Sequence, residues 1–164
     1  MTVVRSGIGY DSHRFAEGRP LILGGFEIPK AERGLAGHSD ADVLTHAVID
    51  ALLGASGLGD IGQHFPDTDT KWAGADSLEL LAHVLQLMRD LRYRPVHVDA
   101  TVVCEAPKLG KWREDIRETL GAALGLGPAG ASVKFTTNEG MGWIGRGEGI
   151  AALAVATVEE VPES

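Results

Sequence analysis

The first regular element of the chain is predicted around Gly7-Ile8-Gly9-Tyr10-Asp11-Ser12-His13-Arg14, which passes from apolar to polar residues. With Val3 and Val4 before it, this stretch predicts a strand that ends at the polar positions. Because side chains alternate along a strand, Asp11 and His13 project from the same face. A carboxylate and an imidazole at a strand end are candidate metal ligands, although the same spacing also occurs in ordinary surface pairs.

A second stretch, His38-Ser39-Asp40-Ala41-Asp42-Val43-Leu44-Thr45-His46, predicts the start of a helix. Ser39 or Asp40 is a suitable N-cap, the apolar spacing continues to residue 53, and Gly54 is the predicted end. His46 then lies about one and a half turns into the helix. Two imidazoles and one carboxylate are a sufficient protein ligand set for a catalytic zinc ion that keeps one position open.

Asp42 and Asp50 stand four residues before and four residues after His46. This spacing puts all three side chains on one helix face, so one carboxylate is a candidate for orienting the second ring nitrogen of His46. A solvated helix face is the alternative interpretation of the same pattern.

Length and composition predict one domain over residues 1–158 and a frayed tail over residues 159–164. The 164 residues are 44% hydrophobic, yet no run approaches eighteen apolar residues and no signal peptide is recognisable. We therefore expect a cytoplasmic protein without a membrane partner. The single cysteine, Cys104, excludes an intrachain disulfide and a cysteine-based zinc cluster, and is expected to be a buried free thiol.

The formal net charge of −8 argues against nucleic acid as a partner, because proteins that bind it carry basic surfaces. A phosphorylated small molecule remains compatible with this charge. Its binding requires local positive charge from metal ions, Lys, Arg or backbone N–H groups.

The remaining hydrophobic patterns predict an α/β (α+β) fold, a mixed sheet with helices packed on one face. Because the last strand is almost entirely apolar, we expect both of its faces to be buried, and oligomerisation to cover the open face of the sheet. The predicted elements are a hairpin at 21–28 turning at Gly24-Gly25, a mobile loop at 30–37, helices at 78–91 and 112–124, and strands at 96–104, 132–137 and 150–158.

Residues 60–70 are predicted to be irregular, because Gly59, Gly62 and Pro66 interrupt them. Their three carboxylates, on Asp60, Asp67 and Asp69, suit either a solvated loop or a divalent metal, although the spacing is not that of an EF-hand. A glycine-rich segment over 140–149 lacks both the P-loop lysine pattern and a G-x-G-x-x-G that opens a helix.

Six sequence motifs together resemble one enzyme family. They are Gly9-Tyr10-Asp11-Ser12-His13-Arg14-Phe15, the run from His38 through Ala55, Gly59-Asp60-Ile61-Gly62-Gln63-His64-Phe65-Pro66-Asp67-Thr68-Asp69, Glu105-Ala106-Pro107-Lys108, Thr136-Thr137-Asn138-Glu139, and Gly145-Arg146-Gly147-Glu148-Gly149. Their order and content resemble the 2-C-methyl-D-erythritol 2,4-cyclodiphosphate synthases of the non-mevalonate isoprenoid pathway.

The resemblance implies a homotrimer with inward-facing sheets and active sites between subunits. It also implies conversion of 4-diphosphocytidyl-2-C-methyl-D-erythritol 2-phosphate into the cyclic 2,4-diphosphate with release of CMP. Zinc or another divalent metal is expected on Asp11, His13 and His46, and magnesium or manganese on Glu139. His38 and Thr137 match the catalytic positions that stabilise the transition state, and Ser39 lies close to the 2-phosphate.

The resemblance assigns further residues to the substrate. Trp143 and Arg146 match an axial cavity of the family that accepts isoprenoid diphosphates, although Arg146 and Glu148 also suit a plain intersubunit ion pair. The expected contacts to the erythritol part are Asp60, Ile61, Gly62, Phe65, Pro66, Asp67, Thr68 and Asp69; those to cytosine are Cys104, Glu105, Ala106, Pro107, Lys108, Leu109 and Gly110; and those to the diphosphate are Thr136, Thr137, Asn138 and Glu139.

Two other function classes fit parts of the pattern. A zinc-dependent nucleotide phosphohydrolase would use the same three ligands to deliver water, but it has no need for a loop that holds a polyol. A non-catalytic trimer that binds isoprenoid phosphates would not need two metal sites.

Overall fold

The computed structural model describes residues 2–162. Within this range the chain forms the following elements in order: β1 Val4–Ala16, β2 Ile22–Leu23, β3 Phe26–Glu27, β4 Gly34–Leu35, α1 Val43–Ser56, α2 Ile61–His64, α3 Ser77–Asp90, β5 Tyr93–Val103, α4 Arg113–Ala123, β6 Ala131–Thr136, α5 Gly142–Gly145 and β7 Gly149–Glu160.

Five strands form one mixed sheet in the order β4-β1-β7-β5-β6. Strands β5 and β6 are parallel, and every other neighbouring pair is antiparallel. Helices α1, α3 and α4 contact these strands. The mixed α/β fold predicted from the sequence is therefore confirmed.

Two glycines of β1 allow helix α1 to lie directly on the sheet. A Cβ atom added at Gly9 would lie 1.9 Å from the carbonyl oxygen of Ala47, and one at Gly7 would lie 2.2 Å from that of Ala51. No side chain fits at either distance. Because Asp11 and His13 continue the same face of β1, this contact brings the start of α1, with His46, against them.

The opposite sheet face is apolar and exposed. Ile8 and Tyr10 of β1 stand opposite Val155 and Leu153 of β7, with exposures of 71%, 54%, 46% and 40%. The prediction that β7 is buried on both faces holds for the single chain only at the start of the strand, where residues 149–152 are all buried. From Leu153 onwards burial alternates, because α1 covers one face of the strand and Leu153 and Val155 lie on the other.

The predicted hairpin is confirmed as β2 and β3, and Gly24 and Gly25 have φ angles of 62° and 80°. Both values lie in the left-handed region that a primed two-residue turn requires. Helix α1 differs from its prediction at both ends. Its N-cap is Asp42, whose side chain accepts a hydrogen bond from the Thr45 N–H, and its C-cap is the left-handed Gly57 instead of Gly54.

Three predicted irregular segments contain regular structure. The expected loop at 30–37 includes β4, which pairs with the end of β1, and residues 60–70 include α2, whose N-cap is Asp60. The expected tail also begins too early, because β7 continues to Glu160. Glu163 and Ser164 of that tail lie outside the described residues.

The helix predicted at 78–91 is confirmed as α3, with Asp76 as its N-cap. Leu81, Leu85 and Met88 are buried as expected, whereas Ala82 of the predicted stripe is exposed and Val84 takes its place. Across residues 2–162, no helix has the length and apolar character needed to cross a bilayer.

Candidate active site

Asp11, His13 and His46 come together at the junction of β1 and α1. Asp11 Oδ2 lies 2.8 Å from His13 Nε2 and 3.1 Å from His46 Nδ1, and the two ring nitrogens are 3.3 Å apart. One atom from each residue lies within 4.8 Å of the others, the only such group of three or more among the described residues. One carboxylate and two imidazoles match the donor set of a catalytic zinc site, so these residues fit the expected metal.

The ring of His13 is held in one orientation by the backbone. Its Nδ1 lies 2.6 Å from the carbonyl oxygen of Ala36. A carbonyl only accepts hydrogen bonds, so Nδ1 carries a hydrogen and Nε2 is directed towards Asp11 and His46. This backbone contact is how β1 and the segment after β4 prepare His13 as a ligand.

The ring of His46 is oriented by two serines. Its Nε2 lies 2.8 Å from Ser77 Oγ and 3.2 Å from Ser39 Oγ, which leaves Nδ1 facing Asp11. Ser77 is fully buried at the start of α3. Sequence reasoning treated this position only as part of a helix start, because no local pattern connects residues 31 positions apart.

The predicted partnership of Asp42 or Asp50 with His46 is wrong. Asp42 is fully buried and accepts hydrogen bonds from Thr45, Gly24 and Gly25, so it joins the hairpin to α1. Asp50 accepts a hydrogen bond from the Ile61 N–H. Both carboxylates accept hydrogen bonds from backbone N–H groups at the start of a helix, which is where aspartate side chains commonly act as caps.

The charges of the triad influence one another. Burial raises the pKa of Asp11, but His13 and His46 in their protonated forms donate hydrogen bonds to it and carry positive charge, and these effects outweigh burial and lower that pKa to about 2. Burial lowers the pKa of His13, but its hydrogen bond to Asp11 and the negative charge there outweigh burial and raise it. Without a metal, Asp11 is therefore ionised at neutral pH, and His13 keeps its proton to a higher pH than a free imidazole does.

A cavity of about 290 Å³ opens over the triad. His38 and Ser39 line it, as do four residues of the expected erythritol loop, Ile61, Gly62, Phe65 and Asp67. Trp72, which the sequence did not indicate, also lines it and packs edge-on against Phe65 at 4.8 Å between ring centroids.

The other predicted residues of this loop shape it. Asp60 caps α2 and Asp69 accepts a hydrogen bond from the Lys71 N–H, while Pro66 and Thr68 do not line the cavity.

Arg19 holds the backbone on both sides of His38. Its guanidinium donates to the carbonyl oxygens of Gly37 at 2.9 Å and Ser39 at 2.5 Å. The ring of His38 is half-buried, with Nε2 at 3.4 Å from the carbonyl oxygen of Asp69. Sequence reasoning missed Arg19, because an arginine in a turn between two strands is ordinarily a solvated residue.

A second cavity, of about 340 Å³, lies at the ends of β5 and β6. Among the described residues it has no lining residue in common with the cavity over the triad. Ala106, which was predicted for the same loop, lines an adjacent cavity instead. The predicted residues that line the second cavity are Cys104, Pro107, Lys108, Leu109, Gly110, Thr136 and Thr137.

Cys104 in this cavity is buried, and its thiol has low reactivity. Burial raises the pKa of its thiol to about 11, so the thiolate is scarce at neutral pH. The expectation of a buried free thiol is confirmed.

Glu105 fixes the turn that carries Glu139. Its Oε1 accepts hydrogen bonds from the backbone N–H groups of Asn138 at 3.2 Å and Gly140 at 2.8 Å. Glu139 between them is exposed and has a positive φ of 52°. The carboxylate of Glu139 is therefore presented to solvent by a turn whose shape Glu105 maintains.

Trp143 and Arg146 are near each other in sequence but have different environments. Trp143, in α5, is half-buried and lines a cavity with Ser12 and Glu148. Arg146 is exposed and pairs with Glu148 of its own chain at 2.8 Å. The ion pair expected between subunits thus forms within one chain.

Comparison with known proteins agrees with this geometry. A sequence profile of the YgbB family matches residues 4–159. The chain is 60% identical over 152 residues to the 2-C-methyl-D-erythritol 2,4-cyclodiphosphate synthase of Symbiobacterium thermophilum, covering 93% of this chain and 96% of the relative. It is 55% identical over 156 residues to the synthase of Salinibacter ruber, with 95% and 99% covered.

A solved structure of 2C-methyl-D-erythritol-2,4-cyclodiphosphate synthase in a CDP-bound form superimposes with a TM-score of 0.85 at 38% identity. The superposition covers 94% of this chain and 99% of the other. Fold, full-length sequence identity and the conjunction of Asp11, His13 and His46 lead to one conclusion: the chain belongs to the YgbB family.

Proposed function

We propose that this protein converts 4-diphosphocytidyl-2-C-methyl-D-erythritol 2-phosphate into 2-C-methyl-D-erythritol 2,4-cyclodiphosphate and CMP. The observation that carries the proposal is the triad of Asp11, His13 and His46 beneath a cavity lined by the polar loop after α1. Relatives that match nearly the whole chain have the synthase name, and the similar solved structure holds CDP.

The reaction joins the 2-phosphate to the β-phosphorus and breaks the bond between that phosphorus and the oxygen of the α-phosphate, so that CMP leaves. A phosphate is already anionic at neutral pH, and therefore no side chain is needed to deprotonate the nucleophile. What remains is to bring the two groups into line and to offset negative charge.

Asp11, His13 and His46 would hold zinc or another divalent ion, which supplies Lewis-acid polarisation of a β-phosphate oxygen when bound. Their role is to present one carboxylate oxygen and two ring nitrogens from a fixed scaffold. His38 and Ser39, on the cavity wall beside them, bind the 2-phosphate end of the substrate and hold it for attack.

Residues at the ends of β5 and β6 would hold the nucleotide part. Lys108 offers a cation beside the apolar wall of Pro107 and Leu109, which suits a cytidine carrying a phosphate. Thr136 and Thr137 offer hydroxyl groups to the diphosphate, with Thr137 stabilising charge in the transition state. Glu139 offers one exposed carboxylate, and magnesium or manganese is commonly bound by one carboxylate together with substrate phosphates.

The functional unit would be a homotrimer with each active site between two chains. Two observations support this arrangement. The cavity over the triad and the cavity at the nucleotide loop have no common lining residue, and separate half-sites of this kind suit a substrate that binds between neighbouring copies. The exposed patch of Ile8, Tyr10, Leu153 and Val155 is the kind of apolar surface that assembly buries. An isoprenoid diphosphate on the trimer axis, near Trp143, is compatible with this arrangement.

Phosphorus NMR of the protein with the proposed substrate, zinc and magnesium tests the reaction. We expect a cyclic diphosphate to appear in step with CMP. CMP beside a linear bisphosphate would mean that water is the nucleophile and that the protein is a phosphohydrolase. Metal-dependent binding without turnover would instead indicate a binding protein, and either result would overturn the proposal.

A further inference from the structure

Ser77 and Asp40 continue the hydrogen-bonded chain that begins at His46. Ser77 Oγ lies 2.8 Å from His46 Nε2 and makes a hydrogen bond to Asp40 Oδ1. Ser77 is fully buried and His46 is 8% exposed. The three residues form a hydrogen-bonded chain that reaches Nε2 of His46, whereas the other ring nitrogen, Nδ1, faces Asp11.

The donors around Asp40 determine the direction of these hydrogen bonds. Its carboxylate also receives the backbone N–H of Ser77 at 2.9 Å and that of Asp42 at 3.1 Å. An ionised carboxylate only accepts, so the hydroxyl of Ser77 must donate its single hydrogen to Asp40. The lone pairs of Ser77 Oγ then face His46, and Nε2 of that ring must be the donor.

This order selects one tautomer of His46. With the hydrogen on Nε2, the lone pair of a neutral ring lies on Nδ1, the atom that faces Asp11 at 3.1 Å. Ser39 Oγ contacts the same Nε2 at 3.2 Å, but its partner on the other side is the Ala41 N–H at 3.3 Å. Ser39 therefore lacks the carboxylate that would force its hydroxyl to accept.

We propose that Ser77 and Asp40 are positioning residues that fix His46 as an Nδ1 metal ligand through the hydrogen-bonded chain Asp40–Ser77–His46. The inference rests on the proposed function only for the presence of a metal at the triad. Partners of this kind usually change metal affinity or activity by about 10- to 100-fold when they are removed.

The test compares Ser77→Ala with Ser56→Ala. Ser56 is a matched control because it is a serine buried in α1 whose hydroxyl has no hydrogen-bond partner within residues 2–162. Titration with Co²⁺, followed by its visible absorption, measures metal affinity without turnover. We expect Ser77→Ala to weaken Co²⁺ binding about 10- to 100-fold and Ser56→Ala to leave it unchanged.

Asp40→Asn is the second variant. Its amide brings N–H donors towards Ser77 and Asp42, so we expect it to weaken Co²⁺ binding as well. The double variant with Ser77→Ala should bind Co²⁺ no more weakly than the single variant with the lower affinity. Non-additivity of this kind indicates that the two residues act through one path.

Proton NMR of the zinc-loaded protein supplies a readout that a merely structural role would not move. We expect a sharp, slowly exchanging signal from His46 Nε2–H in the parent protein and its loss in Ser77→Ala. Unchanged Co²⁺ affinity in Ser77→Ala, or equal weakening in Ser56→Ala, would overturn the inference while leaving the metal site intact. Absence of stoichiometric Co²⁺ binding by the parent protein would instead refute the metal site on which the inference rests.

Discussion

The metal triad and the nucleotide loop differ in how completely one chain organises them. Every ring nitrogen of His13 and His46 has a partner in the described part of the chain, and both rings are largely shielded from solvent. Lys108 and Thr136, which line the second cavity, are exposed, and so is Glu139. The triad is thus prepared before any ligand arrives, whereas the nucleotide loop of the single chain leaves these polar groups exposed.

His46→Ala is the strongest way to separate the two regions. Loss of one of three protein ligands should remove stoichiometric zinc and lower turnover at least about 100-fold, because metal stabilisation of charge contributes several kcal/mol. CMP, which lacks the β-phosphate, should still bind as it does to the parent protein, since the second cavity has no residue of the triad. Zinc analysis and calorimetric CMP titration measure the two effects, and loss of CMP binding would contradict their separation.

Lys108→Ala should give the opposite result. Removing the charge-assisted hydrogen bond that Lys108 is proposed to donate to the nucleotide should weaken CDP binding about tenfold, while zinc content stays at the parent value. Lys71→Ala is the matched control, because Lys71 is an exposed lysine that packs on Trp72 beside the triad cavity. If both lysine variants weakened CDP equally, the assignment of the nucleotide to the second cavity would be wrong.

The smallest expected effect is on the pH dependence of zinc binding. The pKa of His13 is raised by Asp11, so in the metal-free protein this ring keeps its proton above its ordinary pKa of 6.5. Zinc must displace that proton. Affinity should therefore fall as pH decreases through the raised pKa, approaching about tenfold per pH unit for one proton.

The same shift has a consequence for folding. The stabilisation that protonated His13 gives the metal-free protein is complete below pH 6.5 and is lost as pH rises through its raised folded-state pKa.

Calorimetry in buffers of different ionisation enthalpy measures the proton that His13 releases on zinc binding. Release of no proton at pH 6.5, which lies below the raised pKa of His13, would contradict the charge pattern of the triad.

The sequence predicted local structure well where one residue type determines the backbone. Gly24-Gly25 is a clear example, because both residues occupy left-handed torsions that a hairpin turn requires. The spacing of Asp11 and His13 likewise predicted two side chains on one face, and both belong to the triad. Helix ends were less accurate, since Gly54 lies inside α1 where the helix continues to a left-handed Gly57.

Contacts between distant segments were the part that sequence reasoning missed. Asp42 is at the right spacing to serve His46, but the hairpin and the start of α1 occupy its carboxylate instead. The hydroxyl of Ser77, at the start of α3, contacts His46 Nε2 instead, and no sequence periodicity connects these two residues. Arg19 is a similar case. Its two carbonyl partners are about twenty residues further along the chain, and the pairing of β4 with β1 brings them close to the arginine.

Complementation between two inactive variants tests the central claim most directly. His46→Ala lacks a functional triad and Glu139→Ala lacks the carboxylate of the nucleotide half, so each should be inactive alone. If every active site joins the triad of one chain to the nucleotide loop of the next, equal mixing by co-refolding should restore about a quarter of parent activity. Activity no higher than the sum of the separate variants would contradict the account, because it would mean that both halves must come from the same chain.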